Sequence, residues 1–179
     1  MPPAAASFAV TLQTRLSSCP CTSICVVSIV FGLSPNLFHH NLHKKPAKYS
    51  HNETAASVLI DEWKRARERH RWAIGRYVIM PDHVHFFCRP EHEAKTLSRF
   101  VGAWKTWTSR KIQKGRPQPT AAATTPQALW QREFFDHLLR SSESYSEKWN
   151  YIRENPVRSG LVTSADDWPY SGEIDRLEF

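Results

Sequence analysis

The order of apolar periods along this 179-residue chain predicts an α+β fold. Two stretches carry apolar residues at helical spacing, near Ala56–Ala66 and Lys95–Lys114. Between them, Trp72–Met80 and His83–Cys88 read as strands separated only by Pro81-Asp82. Length and a 41% hydrophobic content suffice for a real core in one domain.

Taken in order, the first fifty residues are the least regular. They hold no acidic residue and three of the four cysteines, and end in a His/Lys stretch from His39 to Lys48. Ser7–Leu12 is the candidate first strand, and the stretch after it shows no clean period. We therefore divide the chain into a divergent segment 1–50 and a domain 51–179, expected to form one compact unit. The apolar run Ile24–Leu33 is too short to span a bilayer. Only Arg15 precedes it as a positive charge, a poor match to a secretory leader. No membrane association and a cytoplasmic location are the expectation.

From Asn52 the signals sharpen. Asn52 or Thr54 can cap a helix whose inner stripe is Ala56, Leu59, Ile60, Trp63 and Ala66. Its other face carries Lys64, Arg65, Arg67, Arg69 and Arg71. Trp72–Met80 is the next strand, Pro81-Asp82 a turn or bulge, and His83–Cys88 its antiparallel partner or continuation. A second helix spans about Lys95–Lys114, with Leu97, Phe100, Val101, Trp104 and Ile112 inward. Residues 115–127, rich in Pro, Thr and Ala, read as a loop. Leu129–Phe135 reads as a short strand, and Ser142 as the cap of a helix over 143–154 that Pro156 helps to stop.

The formal charge of +7 points to an anionic partner, nucleic acid first. Cys19-Pro-Cys21 lacks the two-residue spacer and second pair of a structural zinc site. Four cysteines in a chain of this size do not make a disulfide framework.

His83-Val84-His85 carries the first chemical signal. Alternation along a strand sends both imidazoles to one face, where they can converge on a divalent metal. By itself such a pair is more often two ordinary strand histidines. The second signal is Tyr151 with Asn155, four residues apart and hence on one helical face. A tyrosine hydroxyl can act as a covalent nucleophile, and an asparagine oxygen can ligate a metal. Alone, Tyr151 reads as a core aromatic and Asn155 as a helix-ending residue before proline.

Four ordered blocks join these signals: Tyr77-Val-Ile-Met-Pro-Asp-His-Val-His85, Leu129-Trp-Gln-Arg-Glu-Phe-Phe-Asp-His137, Tyr151-Ile-Arg-Glu-Asn-Pro-Val-Arg-Ser-Gly-Leu-Val162 and Asp167-Trp-Pro-Tyr-Ser171. In content, order and spacing they resemble the REP-associated tyrosine transposases, within the insertion-sequence-200-like family of HUH transposases. The resemblance covers about residues 57–171. It implies a ferredoxin-like antiparallel sheet with helices packed on it and a helix toward the C-terminus that carries the tyrosine. It further implies that Tyr151 is the nucleophile, that His83 and His85 bind Mg²⁺ or Mn²⁺, and that Asn155 stands where a third ligand is expected.

The implied activity is metal-dependent cleavage and strand transfer of single-stranded DNA at hairpin-associated sites, through a 5′-phosphotyrosine intermediate. The implied partner is single-stranded DNA with a REP-like hairpin, handled by a monomer or a homodimer. Lys105, Arg110, Arg132 and His137 are candidate DNA contacts, while Trp168 and Tyr170 are expected to anchor the tail. Two other readings remain open. One is a domesticated or inactive relative that binds hairpin DNA, and the other is a metal-dependent hydrolase that uses water in place of Tyr151.

Overall fold

The computed structural model describes residues 23–31, 55–114 and 128–178. In chain order the elements are β1 (Ile24–Val30), α1 (Ala55–Lys64), α2 (Ala66–His70), β2 (Trp72–Ile79), β3 (His83–Pro90) and α3 (Leu97–Lys114). Beyond them lie β4 (Phe135–Leu139), α4 (Ser142–Arg153), α5 (Asn155–Arg158), a 3₁₀ turn (Ala165–Asp167) and β5 (Ser171–Glu173). The five strands form one sheet in the order β4-β1-β3-β2-β5 with every pairing antiparallel. Without β5, this is the ferredoxin-like order that the family resemblance implied.

Its central strand is β3, and period-two alternation divides that strand between two cores. Val84, Phe86 and Cys88 face the cluster built with α1 and α3, which includes Trp63, Phe100 and Trp104. Phe87 faces the other cluster, with Tyr145 and Ile152 of α4. His83 and His85, in phase with Phe87, therefore lie on the α4 side. Strand β2 keeps both faces apolar by slipping register between Ile74 and Tyr77, so that both residues reach the α1/α3 cluster. Gly75 sits in that irregularity, where an added Cβ would come within 2.7 Å of Leu177.

The first described strand is β1, drawn from the apolar run that the sequence left without an assignment. Ser7–Leu12, the candidate first strand, lies outside the described residues, as do Asn52 and Thr54. β1 sits between β4 and β3, with Val27 opposite Phe86 and Ser28 opposite His85. Cys25 and Cys88, also opposite each other, are both buried thiols.

Leu129–Phe135 differs from its expected strand, because pairing begins only at Phe135. Trp130 forms an isolated bridge to Phe31 and stacks on its ring at 4.3 Å. The carbonyls of Gln131, Arg132 and Glu133 accept from Lys105 Nζ at 2.9, 3.2 and 3.0 Å, so a lysine takes the place of a neighbouring strand. The cap of α4 is Ser141, one residue before the expected Ser142, and its hydroxyl accepts from the Ser144 amide. Trp168 anchors the tail as expected, buried with its indole N–H donating to the Ile79 carbonyl at 3.1 Å. Among the described residues no helix is long and apolar enough to cross a membrane.

Candidate active site

His83 and His85 meet on the α4 face of β3 with ring centroids 4.7 Å apart and planes at 81°. Each has its Nδ1 engaged. His83 Nδ1 lies 2.7 Å from Asp82 Oδ1, and since an ionised carboxylate only accepts, His83 is the donor there. His85 Nδ1 lies 2.7 Å from Ser28 Oγ on the neighbouring strand. When Ser28 Oγ accepts from His85 Nδ1–H, both Nε2 lone pairs are left for a metal, the arrangement in which an outer partner orients a ligating imidazole. The donor set thus fits a divalent cation. Among the described residues no third His, Cys, Asp or Glu completes a cluster, so any further protein ligand must be of another type, such as an amide.

The His85 pKa is pushed down to about 3, first by burial, then by His83 and Lys148, with Asp82 opposing and Arg158 adding to the fall. At neutral pH this imidazole is uncharged, the form that binds metals.

Tyr151 stands on α4 with 60% of its surface exposed. Two cations bracket its ring: Lys148 Nζ at 5.5 Å and Arg158 Cζ at 4.2 Å from the centroid. Lys148 lies one turn earlier on α4, and Arg158 ends α5. These are the same two cations that act on His85. Tyr151 and His85 therefore feel the same two cations within a single chain. Tyr151 also lines a groove of about 300 Å³ with His137, Leu139, Ser144, Glu147 and Lys148. Of the candidate DNA contacts, His137 is the one that the fold brings beside Tyr151.

Asn155 is not on the same helix as Tyr151. α4 stops at Arg153, and Asn155 opens α5 ahead of Pro156, which has no N–H to continue the ladder. Arg158 ties the two together, donating to the Tyr151 carbonyl at 2.7 Å and to the Asn155 side-chain oxygen. That oxygen is occupied by a guanidinium in this conformation.

The remaining candidates gather on the other side of the sheet. Lys105, Arg110 and Arg132 line a second groove, of about 440 Å³, between α3 and the segment after Ala128. Burial lowers the Lys105 pKa, and its ammonium donates to three carbonyls of the 131–133 backbone.

Sequence reasoning missed four residues at the site. Asp82 was visible beside His83, and Lys148 three residues before Tyr151. Arg158 lay inside the matched Tyr151–Val162 block. Ser28 carried a different signal, a lone hydroxyl in a buried apolar strand.

Comparison with known proteins shows the family and the fold. Residues 41–155 match the family described as "Transposase IS200 like". Over 112 residues the chain is 30% identical to a protein named as a REP-associated tyrosine transposase of Haemophilus influenzae, covering 61% of this chain and 63% of the relative. Over 99 residues it is 32% identical to the REP-associated tyrosine transposase of Escherichia coli K12, covering 55% of this chain and 52% of the relative. The chain thus spans less than two thirds of the length of either relative. A solved REP-associated tyrosine transposase bound to a REP hairpin shares the fold, with a TM-score of 0.63 over 89% of this chain and 82% of the other at 17% identity.

Proposed function

This chain belongs to the IS200-like transposase family, and from that membership we propose that it cleaves and rejoins single-stranded DNA beside a hairpin, with Tyr151 as nucleophile. The observation that carries the proposal is the shared pair of cations: Lys148 and Arg158 bracket the Tyr151 ring and both act on His85. It supports a site assembled within one chain, whether the protein works alone or as a homodimer.

In this reading Tyr151 Oη forms a bond to the scissile phosphorus while the bond to the 3′ oxygen breaks. The products are a 5′-phosphotyrosine and a free 3′-hydroxyl. The phenol gives up its proton as attack proceeds, and the adjacent ammonium and guanidinium favour the charge that develops on Oη and on the phosphate. Return attack by a 3′-hydroxyl re-forms the phosphodiester and releases the tyrosine, so no nucleotide cofactor is consumed. His83 and His85 would hold Mg²⁺ or Mn²⁺ through Nε2, with Asn155 as an added oxygen donor once Arg158 releases it. Such a cation supplies charge neutralisation at the phosphate. Asp82 and Ser28 keep the two rings oriented, and His137 borders the groove that would receive the strand. Relatives matched to this chain are named as REP-associated tyrosine transposases, and one solved relative is bound to a REP hairpin. A hairpin-bearing strand is accordingly the proposed substrate.

Incubation of the chain with hairpin-bearing single strands and Mn²⁺, read on denaturing gels, tests the proposal. A covalent adduct that disappears in Tyr151→Phe is expected. Cleavage that survives in Tyr151→Phe would sink the tyrosine mechanism and favour water as nucleophile. The contact between Arg158 and the Asn155 oxygen favours a second reading, a relative that binds hairpin DNA without turnover. Tight hairpin binding with no adduct at any metal concentration would identify it.

A further inference from the structure

Trp107 projects from α3 on the side of the sheet away from the histidines. α3 packs through Phe100, Val101 and Trp104 onto the cluster that contains Val84 and Phe86. Trp107 points the other way, 46% exposed, with the guanidinium of Arg69 at 5.9 Å and that of Arg110 at 5.7 Å from its ring centroid. An indole left half in water contributes little to the core, so its place calls for another reason.

Pinning the helices together is not that reason. The buried Glu62 of α1 already binds Arg65 at 3.4 Å, Arg69 at 2.9 Å and Lys111 of α3 at 2.7 Å. Arg69 is thus largely neutralised. Arg110 pairs with no carboxylate among the described residues. It also lines the second groove beside Ser109, Gln113, Gln131 and Arg132. An exposed aromatic, an uncommitted guanidinium and a groove with a second arginine therefore form one continuous tract.

We propose that this tract is a second DNA-binding site, in which Trp107 stacks on an unpaired base while Arg110 and Arg132 hold the adjoining phosphates. Stacking on an aromatic platform flanked by cations is how proteins grip single strands without reading sequence. A paired duplex cannot offer the face of a base in this way. The inference rests on the reading that the chain handles single-stranded DNA, and places an anchor for that strand behind the sheet, apart from Tyr151.

The test is equilibrium binding of a labelled oligothymidine, without any hairpin, to the full chain in EDTA. Trp107→Ala is expected to weaken binding about tenfold or more, and Trp107→Phe to stay within about threefold of the parent. Arg110→Gln is expected to lower the slope of log affinity against log salt by about 0.7. Binding by Trp107→Ala within about twofold of the parent overturns the proposal. So does a fall in melting temperature with unchanged binding, which would make Trp107 a helix clasp. A parent chain that does not bind oligothymidine also overturns it. A Tyr151 adduct formed with hairpin DNA by that same protein would show the proposed reaction standing without the rear site.

Discussion

Acidification should weaken this fold through His85, and the magnitude can be worked from its environment. The imidazole titrates at 6.5 in an open chain and at about 3 in the folded protein, chiefly because burial penalises its charged form. Between those values the unfolded chain binds a proton that the folded chain refuses. Stability from this group is therefore complete above about pH 6.5 and is lost as pH falls toward 3. At about 1.4 kcal/mol per unit, lowering the pH from about 7.5 to about 5 removes about 2 kcal/mol. A folded value higher by a whole unit would leave that figure almost unchanged, since pH 5 still lies above it. His70, whose pKa is also lowered mainly by burial, adds a loss in the same direction. Comparison with a His85→Asn variant cancels that contribution and the carboxylates. In metal-free buffer, urea unfolding at both pH values should show the parent losing about 2 kcal/mol more than His85→Asn. Losses equal within about 0.5 kcal/mol would refute the argument that His85 is held neutral. The same burial keeps the imidazole neutral at neutral pH, as metal binding requires.

Arg158→Met should slow adduct formation about tenfold to a hundredfold in single-turnover assays. Its melting temperature should stay close to the parent, because Arg158 is exposed. An unchanged adduct rate would remove Arg158 from the site. Lys105→Met strips the donor from three carbonyls and should cost about 1–3 kcal/mol in urea unfolding, while hairpin affinity stays within about twofold. A large loss of affinity with unchanged stability would instead mark Lys105 as a DNA contact. Phe86→Ala empties the space between Trp63, Phe100 and Trp104 and should cost about 3–5 kcal/mol by the same measurement.

What the sequence revealed and what it withheld divide along the range of the interactions. The placement of His83, His85 and Tyr151 was legible because it depends on a local period: alternation puts the two histidines on one face, and a capped helix carries the tyrosine. The single helical face expected for Tyr151 and Asn155 is instead divided between α4 and α5, since Pro156 interrupts the ladder. β1 was obscure because a strand buried on both faces loses its alternation. Val27 and Ile29 serve the α1/α3 cluster, while Ile24 and Val26 serve the α4 cluster. A run so uniformly apolar cannot be told from a buried helix or a leader by period alone. β4 was displaced because the backbone before it bonds to a lysine 26 residues earlier in the chain. Yet the obscure strand contained a usable signal. Within Ile24–Val30 the only hydroxyl belongs to Ser28, and a buried polar group needs a partner. Its partner is His85, opposite it in the register. A lone serine in a buried strand and a histidine pair in another each implied a missing neighbour, and the two meet across the β1–β3 pairing.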